Sequence, residues 1–289
     1  MKEIVKEKIA SLLSGDEEIQ SVEQLGGMTN QNYLVKTSSN QYIVKFFGKG
    51  TDKLIDRQNE KFNLELLKDL KLDVENYLFD IDAGIKVNQY IENAETLDSA
   101  TIKTKFEKIA PILQTIHASG KELRGEFAPF EEIKKYESLI QGEISYPNYE
   151  AIRKSVFSLK EELEHIGVDK KSCHIDLVPE NFIEGPDGHL YLIDWEYSSM
   201  NDPMWDLAAL FLESEFTSAE EEDFLSHYES DKTPVSREKI RIYKILQDII
   251  WSLWTIYKEE NGSDFGDYGI SRYNRAVKEL ESEGDLNEN

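Results

Sequence analysis

The chain is poor in cysteine, in basic residues and in long apolar runs. Cys173 is the one cysteine among 289 residues. A single thiol closes no disulfide within the chain and builds no cysteine-based zinc site. No apolar stretch reaches the roughly 18 residues of a membrane span. The first residues, Met1-Lys2-Glu3-Ile4-Val5, mix charge with apolar side chains and lack a secretory core, so a cytoplasmic protein is expected. Lysine and arginine number 33 against 57 acidic residues, a net charge of −24. Such a balance serves solubility first. It also repels phosphate backbones and anionic headgroups, which argues against nucleic acid or membrane insertion and suits a small cationic ligand. The five histidines, His117, His165, His174, His189 and His227, are scattered, and no two stand at a helical metal-ligand spacing.

What is present is an ordinary globular balance, 39% hydrophobic and 31% charged, on a chain long enough for two lobes. Apolar positions at Ile4, Val5, Ile9, Leu12 and Leu13 predict a helix over 1–14, ended by Gly15. Three strand-type runs follow, at 19–25, 33–37 and 42–47, joined by turn-rich connectors and read as an antiparallel meander. A helix is expected over 56–71, then strands at 76–81 and 83–90. A hinge is expected over 88–92. From residue 98 onward the pattern is mainly helical, over 101–119, 131–139, 149–166, 205–211, 218–228, 237–260 and 267–280. It is interrupted at 169–194 by a loop and by a hairpin of 182–184 with 190–193. An acidic tail begins near Glu281.

The interruption carries the strongest motif. His174-Ile175-Asp176-Leu177-Val178-Pro179-Glu180-Asn181 has the form His-x-Asp-x4-Asn, and Asp194 follows 13 residues after Asn181. Phosphoryl transfer asks the protein for a positioned base and for hard oxygen ligands to the magnesium on the nucleotide phosphates. A loop aspartate, an asparagine five residues on and an aspartate after a hairpin strand supply those oxygens. Lys45, inside the apolar run Tyr42-Ile43-Val44-Lys45-Phe46-Phe47, is placed to meet phosphates. Its expected partner is a glutamate of the next helix, Glu60, with Glu65 as the alternative. The turn Gly26-Gly27-Met28-Thr29-Asn30 lets backbone approach phosphate, and Thr29 and Asn30 can donate hydrogen bonds.

These motifs together resemble the choline/ethanolamine kinase branch of the aminoglycoside-phosphotransferase-like superfamily, over residues 26–273. Gly27-Met28-Thr29-Asn30-x-Asn32-Tyr33, the His174 to Asn181 motif, Ile193-Asp194-Trp195-Glu196-Tyr197-Ser198, and Asn201 followed by Asp206-Leu207-Ala208 carry the resemblance. It implies an α+β fold of the bilobal protein-kinase-like type. A small antiparallel-sheet N-lobe would span 1–88 and a larger, mainly helical C-lobe 89–289. It implies ATP and Mg2+, with Asp176 as base, His174 organising the catalytic loop, and Asn181 and Asp194 as magnesium ligands. Residues 88–91, with Gln89, Tyr90 and Ile91, would offer backbone groups to adenine. The resemblance is greatest to bacterial choline kinases that supply phosphocholine to cell-surface glycopolymers.

The acceptor is addressed by Trp251-Ser252-Leu253-Trp254, two indoles on one helix face. A quaternary ammonium donates no ordinary hydrogen bond and is held by aromatic faces, at roughly 0.5–2 kcal/mol each. Packing alone would also explain buried tryptophans. The resemblance adds Phe265, Tyr268, Glu196, Tyr197 and Glu213 to a choline pocket. Choline kinase is therefore the leading expectation. Ethanolamine kinase, aminoglycoside phosphotransferase and a non-enzymatic pseudokinase scaffold are the alternatives. Lys45, Asp176, Asn181 and Asp194 are all present, which disfavours the scaffold. Cys173 and His117 are read as packed residues without chemistry.

Overall fold

The computed structural model describes residues 2–13, 16–26, 30–48 and 50–287. Gly15, Gly27, Met28 and Thr29 lie outside the described residues, and with them the expected helix stop, most of the glycine turn and the Thr29 contact. The described chain forms two compact units, Met1–Asp98 with Pro179–Tyr197, and Ser99–Val178 with Ser198–Asn289.

The first unit starts with helix α1 (Lys2–Ile9) and strands β1 (Ile19–Gln24), β2 (Gln31–Thr37) and β3 (Gln41–Phe46). Helix α2 (Arg57–Leu67), capped by the Asp56 carboxylate on the Gln58 and Asn59 amides, leads to β4 (Asn76–Asp80) and β5 (Ile85–Gln89). The sheet order is β1-β2-β3-β5-β4, antiparallel throughout. One face carries Tyr33, Val35, Tyr42, Val44, Ile85 and Val87 into a core closed by Val5 and Ile9 of α1. Because side chains alternate along a strand, Lys45 and Lys86 occupy the opposite face. A short strand β6 (Glu95–Thr96) follows before the chain leaves the unit.

The second unit contains α3 (Phe106–His117), α4 (Pro129–Leu139), α5 (Tyr149–Ile166) and strand β7 (Lys171–Cys173). The chain then returns to the first unit as the hairpin β8 (Phe182–Glu184) and β9 (Leu190–Leu192), with β8 also pairing β6. Gly188, at φ 79°, supplies the left-handed residue that its turn needs. Back in the second unit, β10 (Ser199–Asn201) pairs β7. Helices α6 (Pro203–Glu213), α7 (Ser218–Tyr228), α8 (Arg237–Glu260) and α9 (Tyr268–Asn287) complete it. Asp202 caps α6 through the Met204 amide, with Pro203 at the first helical position where a missing N–H does no harm. Helices α8 and α9 pack closely at Gly269, where a Cβ would stand 2.9 Å from Thr255 and 2.6 Å from the Tyr146 hydroxyl.

The strand pairs β7–β10 and β6–β8 were not expected. Two- and three-residue strands carry too little periodicity to register in a sequence. Helix α3 is shorter than the expected 101–119 because Lys105, at φ −129°, leaves helical geometry just before it.

Candidate active site

In the first unit the chemistry begins with two buried lysines. Lys45 on β3 and Lys86 on β5 are direct cross-strand partners on one face. Like charges so placed repel, and each lysine has its own carboxylate. Lys45 Nζ lies 2.6 Å from Asp194 Oδ1, and Lys86 Nζ lies 2.5 Å from Glu60 Oε1. Glu60 therefore bonds Lys86, and it reaches Lys45 only through charge. Its other oxygen accepts from Arg57 Nη1 at 2.6 Å, and the same nitrogen stands 2.9 Å from Glu196 Oε2. Asn30 closes the network. Its amide donates to Glu196 at 2.8 Å, and its carbonyl accepts from Arg57 at 3.0 Å and from the Gly48 amide at 3.2 Å. Arg57 also stacks 4.1 Å above the Phe47 ring.

The network sets the charges. Burial works against the Lys45 ammonium, but Asp194, Glu196 and Glu60 hold its pKa above the ordinary value. Burial likewise opposes the Glu60 carboxylate, yet Lys86, Arg57 and Lys45 pull its pKa down. Glu196 goes the other way, pushed up by burial and by the charge of Asp194. Asp73, half-buried and within the influence of Lys86, Asp194 and Lys45, is pushed by burial up to about 7.

Asn181 and Asp194 sit on adjoining backbone, since the Ile193 amide donates to the Asn181 carbonyl at 2.8 Å. Asn181 ends a short 3-10 turn (Pro179–Asn181) and is buried, whereas the Asp194 side chain is 27% exposed. Asp194 holds φ 68°, a left-handed conformation that a non-glycine residue keeps at a cost of about 1–3 kcal/mol. An amide oxygen and a carboxylate are the hard donors that magnesium takes, so this pair fits that ion. Gln89 ends β5, where its amide donates to the Glu75 carbonyl at 2.8 Å, and Tyr90 and Ile91 follow it half-buried. Tyr197 ends the short turn (Trp195–Tyr197) that also carries Glu196.

In the second unit, β7 delivers His174, Ile175 and Asp176. His174 is fully buried and Asp176 is half-buried. The three peptide groups ahead of Asp176 are clamped. The His174 and Ile175 amides each donate to Asp206 at 2.8 Å, one per carboxylate oxygen, and the Trp205 indole donates to the Ile175 carbonyl at 3.0 Å. Ile175 holds φ 78°, which is unusual for a β-branched residue and persists where surroundings enforce it. The clamp is that enforcement. Cys173 is buried, its thiol pushed well up by burial and by the charges of Asp206 and Asp202, and it donates to the Asn201 carbonyl at 3.4 Å.

An aromatic row runs from α8 into α9. The Trp251 and Trp254 rings meet edge to face at 6.4 Å, Trp254 and Phe265 lie 5.0 Å apart, and Phe265 and Tyr268 6.4 Å apart. The Arg272 guanidinium lies 4.7 Å over Tyr268 and bonds both Glu213 and Asp248. Glu213, expected beside a substrate cation, thus has a protein cation as its partner. Burial raises the Tyr268 hydroxyl pKa, Arg272 opposes, and Glu213 and Asp176 raise it further. Asp176 is therefore within electrostatic reach of Tyr268, at one end of the aromatic row.

Sequence reasoning missed Arg57, Lys86, Asp73 and Arg272, and it named Asp206 within a family motif without giving it a role. Lys86 carried a usable signal, a lysine between Ile85 and Val87, the same pattern that singled out Lys45. The others sit where charged residues are common, and only long-range contacts set them apart.

A strand lysine on a carboxylate, an adjoining asparagine and aspartate, and a clamped loop aspartate define a phosphotransferase of the protein-kinase-like fold. The choline/ethanolamine kinase family model matches residues 22–239, and the chain belongs to that family. It is 78% identical to the crystal structure of choline kinase LicA from Streptococcus pneumoniae, with a TM-score of 0.94 over 98% of this chain and 99% of that one. A structure of LicA in complex with AMP matches at 79% identity and a TM-score of 0.92, over 97% and 98% of the two chains. Protein LicA of Haemophilus influenzae is 32% identical over 269 residues, 89% of this chain and 79% of that protein. Among the described residues no helix is long and apolar enough to cross a membrane.

Proposed function

We propose that the chain transfers the γ-phosphoryl group of ATP to the hydroxyl of choline, giving phosphocholine and ADP. The product would supply phosphocholine for cell-surface glycopolymers. The observation that carries the acceptor is the row Trp251, Trp254, Phe265 and Tyr268, whose Tyr268 end lies within electrostatic reach of Asp176. Aromatic faces bind a quaternary ammonium that cannot donate a hydrogen bond, and they leave its hydroxyl free for a base.

On the nucleotide side, Lys45 is held charged and serves the phosphates. Arg57, Glu60, Lys86 and Asn30 keep that face rigid, and residues 89–91 take the adenine. Asn181 and Asp194 would hold Mg2+, which when bound neutralises phosphate charge. Asp176 accepts the proton of the choline hydroxyl as the oxygen attacks. His174, buried behind it, and the Asp206 clamp fix the loop that aims it. Glu213 adds long-range attraction for the cation, and Glu196 and Tyr197 complete the family motif after Asp194. The reaction uses cytoplasmic ATP.

A coupled assay with choline, ethanolamine and kanamycin as acceptors tests the reading. Choline should lead ethanolamine by about tenfold in kcat/KM, the value of one or two aromatic contacts. A preference for ethanolamine or kanamycin would overturn the acceptor. Nucleotide binding without turnover on any acceptor would make the chain a scaffold.

A further inference from the structure

The aromatic row spans two helices. Trp251 and Trp254 belong to α8, Tyr268 opens α9, and Phe265 stands between them. The width of the row therefore depends on how closely α8 and α9 approach. At Gly269, the residue after Tyr268, that approach leaves no room for a side chain. A Cβ there would stand 2.6 Å from the Tyr146 hydroxyl and 2.9 Å from both Cβ and Cγ2 of Thr255, the residue after Trp254. Only glycine brings backbone so near.

Tyr146 comes from neither helix. It lies in the 140–148 connector between α4 and α5, and that connector is bonded to both α8 and α9. On α8, the Tyr146 hydroxyl donates to the Ser252 carbonyl at 2.9 Å, between the two tryptophans. A helical carbonyl has a second lone pair, so Ser252 can take this bond within the helix. Burial, and then the charge of Glu259, push the Tyr146 hydroxyl up to about 12, so it stays a donor at neutral pH. Nearer the end of α8, the Gln141 and Gly142 amides donate to the Glu260 carboxylate at 2.9 and 2.7 Å. On α9, the Tyr146 ring stacks on Tyr273 at 4.6 Å and 17°. The Tyr273 hydroxyl donates to the Pro147 carbonyl at 2.6 Å. Gly269 and Tyr273 stand four apart, on one face of α9, as Ser252 and Thr255 stand three apart on α8. Trp251, Trp254 and Tyr268 each lie one position before a member of these pairs. The connector thus grips both helices directly beside the row, and none of its own residues belongs to the row.

We propose that Tyr146 is a positioning residue for the acceptor: held on Ser252 and Tyr273 and lodged against Gly269, it fixes the distance between the α8 and α9 parts of the aromatic row. The effect on turnover rests on choline as the acceptor. The test uses Gly269→Ala, Tyr146→Phe and the two combined, with choline and ATP both varied and with near-ultraviolet circular dichroism of the aromatic rings. Gly269→Ala should wedge the row open and raise the KM for choline about tenfold, with kcat and the KM for ATP within about twofold. Tyr146→Phe keeps the stack on Tyr273, loses the bond to Ser252, and should raise the KM for choline about twofold. In the double variant the oxygen nearest the added Cβ is gone while Thr255 remains. Its KM for choline should fall back to about threefold above the wild type, a recovery that loss of stability alone would not produce. An unchanged KM for choline in Gly269→Ala, equal rises in both KM values, or no recovery in the double variant would overturn the proposal. If Gly269→Ala does not fold, Tyr146→Phe combined with Tyr273→Phe, which keeps both rings and removes both hydroxyl bonds, decides. It should raise the KM for choline about fivefold, and an unchanged value would overturn the proposal. Failure of the wild type to turn over choline would overturn the acceptor instead. The dichroism then decides for Tyr146: the aromatic bands should weaken in Gly269→Ala and return in the double variant, and unaltered bands would overturn its positioning role.

Discussion

The two units place different groups around the ligands each is proposed to serve. The first gathers Lys45, Lys86, Arg57, Glu60, Glu196 and Asp194 into one face of a sheet, nearly all buried and paired. The second holds the backbone just ahead of Asp176, the proposed base, by amide hydrogen bonds to Asp206, and it carries a row of aromatic rings. The difference follows from the ligands. Phosphates carry concentrated charge and reward fixed cations. A methylated ammonium has diffuse charge and no donor, so rings serve it better than carboxylates do.

The base is where the largest effect should appear. Asp176→Ala should lower kcat by about 10²–10⁴ with little change in nucleotide affinity, since a base acts on the chemical step. Isothermal titration with a nucleotide, beside steady-state kinetics, checks both halves. An equal loss of nucleotide affinity would erase the division of labour between the units.

The paired lysines sharpen the comparison within the first unit. Lys86→Met strands the buried Glu60 beside Arg57 and should destabilise by about 3–5 kcal/mol, read as a fall in urea midpoint. Lys45→Met leaves Asp194, whose side chain is 27% exposed, and so should destabilise less while raising the KM for ATP more. Equal stability losses would mean that the two lysines are interchangeable parts of one network.

Much of this was legible in the sequence, for a physical reason. Local patterns write themselves along the chain. The meander, α2, and the helices α5, α7 and α8 stand where apolar periodicity put them. The catalytic loop is contiguous, and so is the motif that reveals it. What escaped depends on pairing between distant residues. Arg57 and Glu196 are separated by 139 positions and His117 and Asp206 by 89, and no local pattern encodes such contacts. The expected Lys45–Glu60 pair shows the same limit. A lysine in a strand and a glutamate on the next helix were both identified, but Lys86, the cross-strand neighbour, takes the carboxylate.

The smallest effect concerns pH. Asp73 is an aspartate whose folded pKa is raised to about 7, so the folded state holds a proton that the unfolded chain has lost above the ordinary value of 3.8. Its contribution to stability is full below the lower value and fades as pH rises through the higher one. Asp73→Asn should flatten the stability profile between those limits, measured as thermal midpoint against pH. An unchanged slope would exclude Asp73 as its source.

The central claim is that the second unit selects the acceptor while the first serves the nucleotide. Steady-state kinetics of Trp254→Ala with both substrates varied tests it most directly. The KM for choline should rise about tenfold and the KM for ATP should stay within about twofold. An unchanged KM for choline would reduce Trp254 to a packing residue, and equal rises in both values would contradict the division of labour itself.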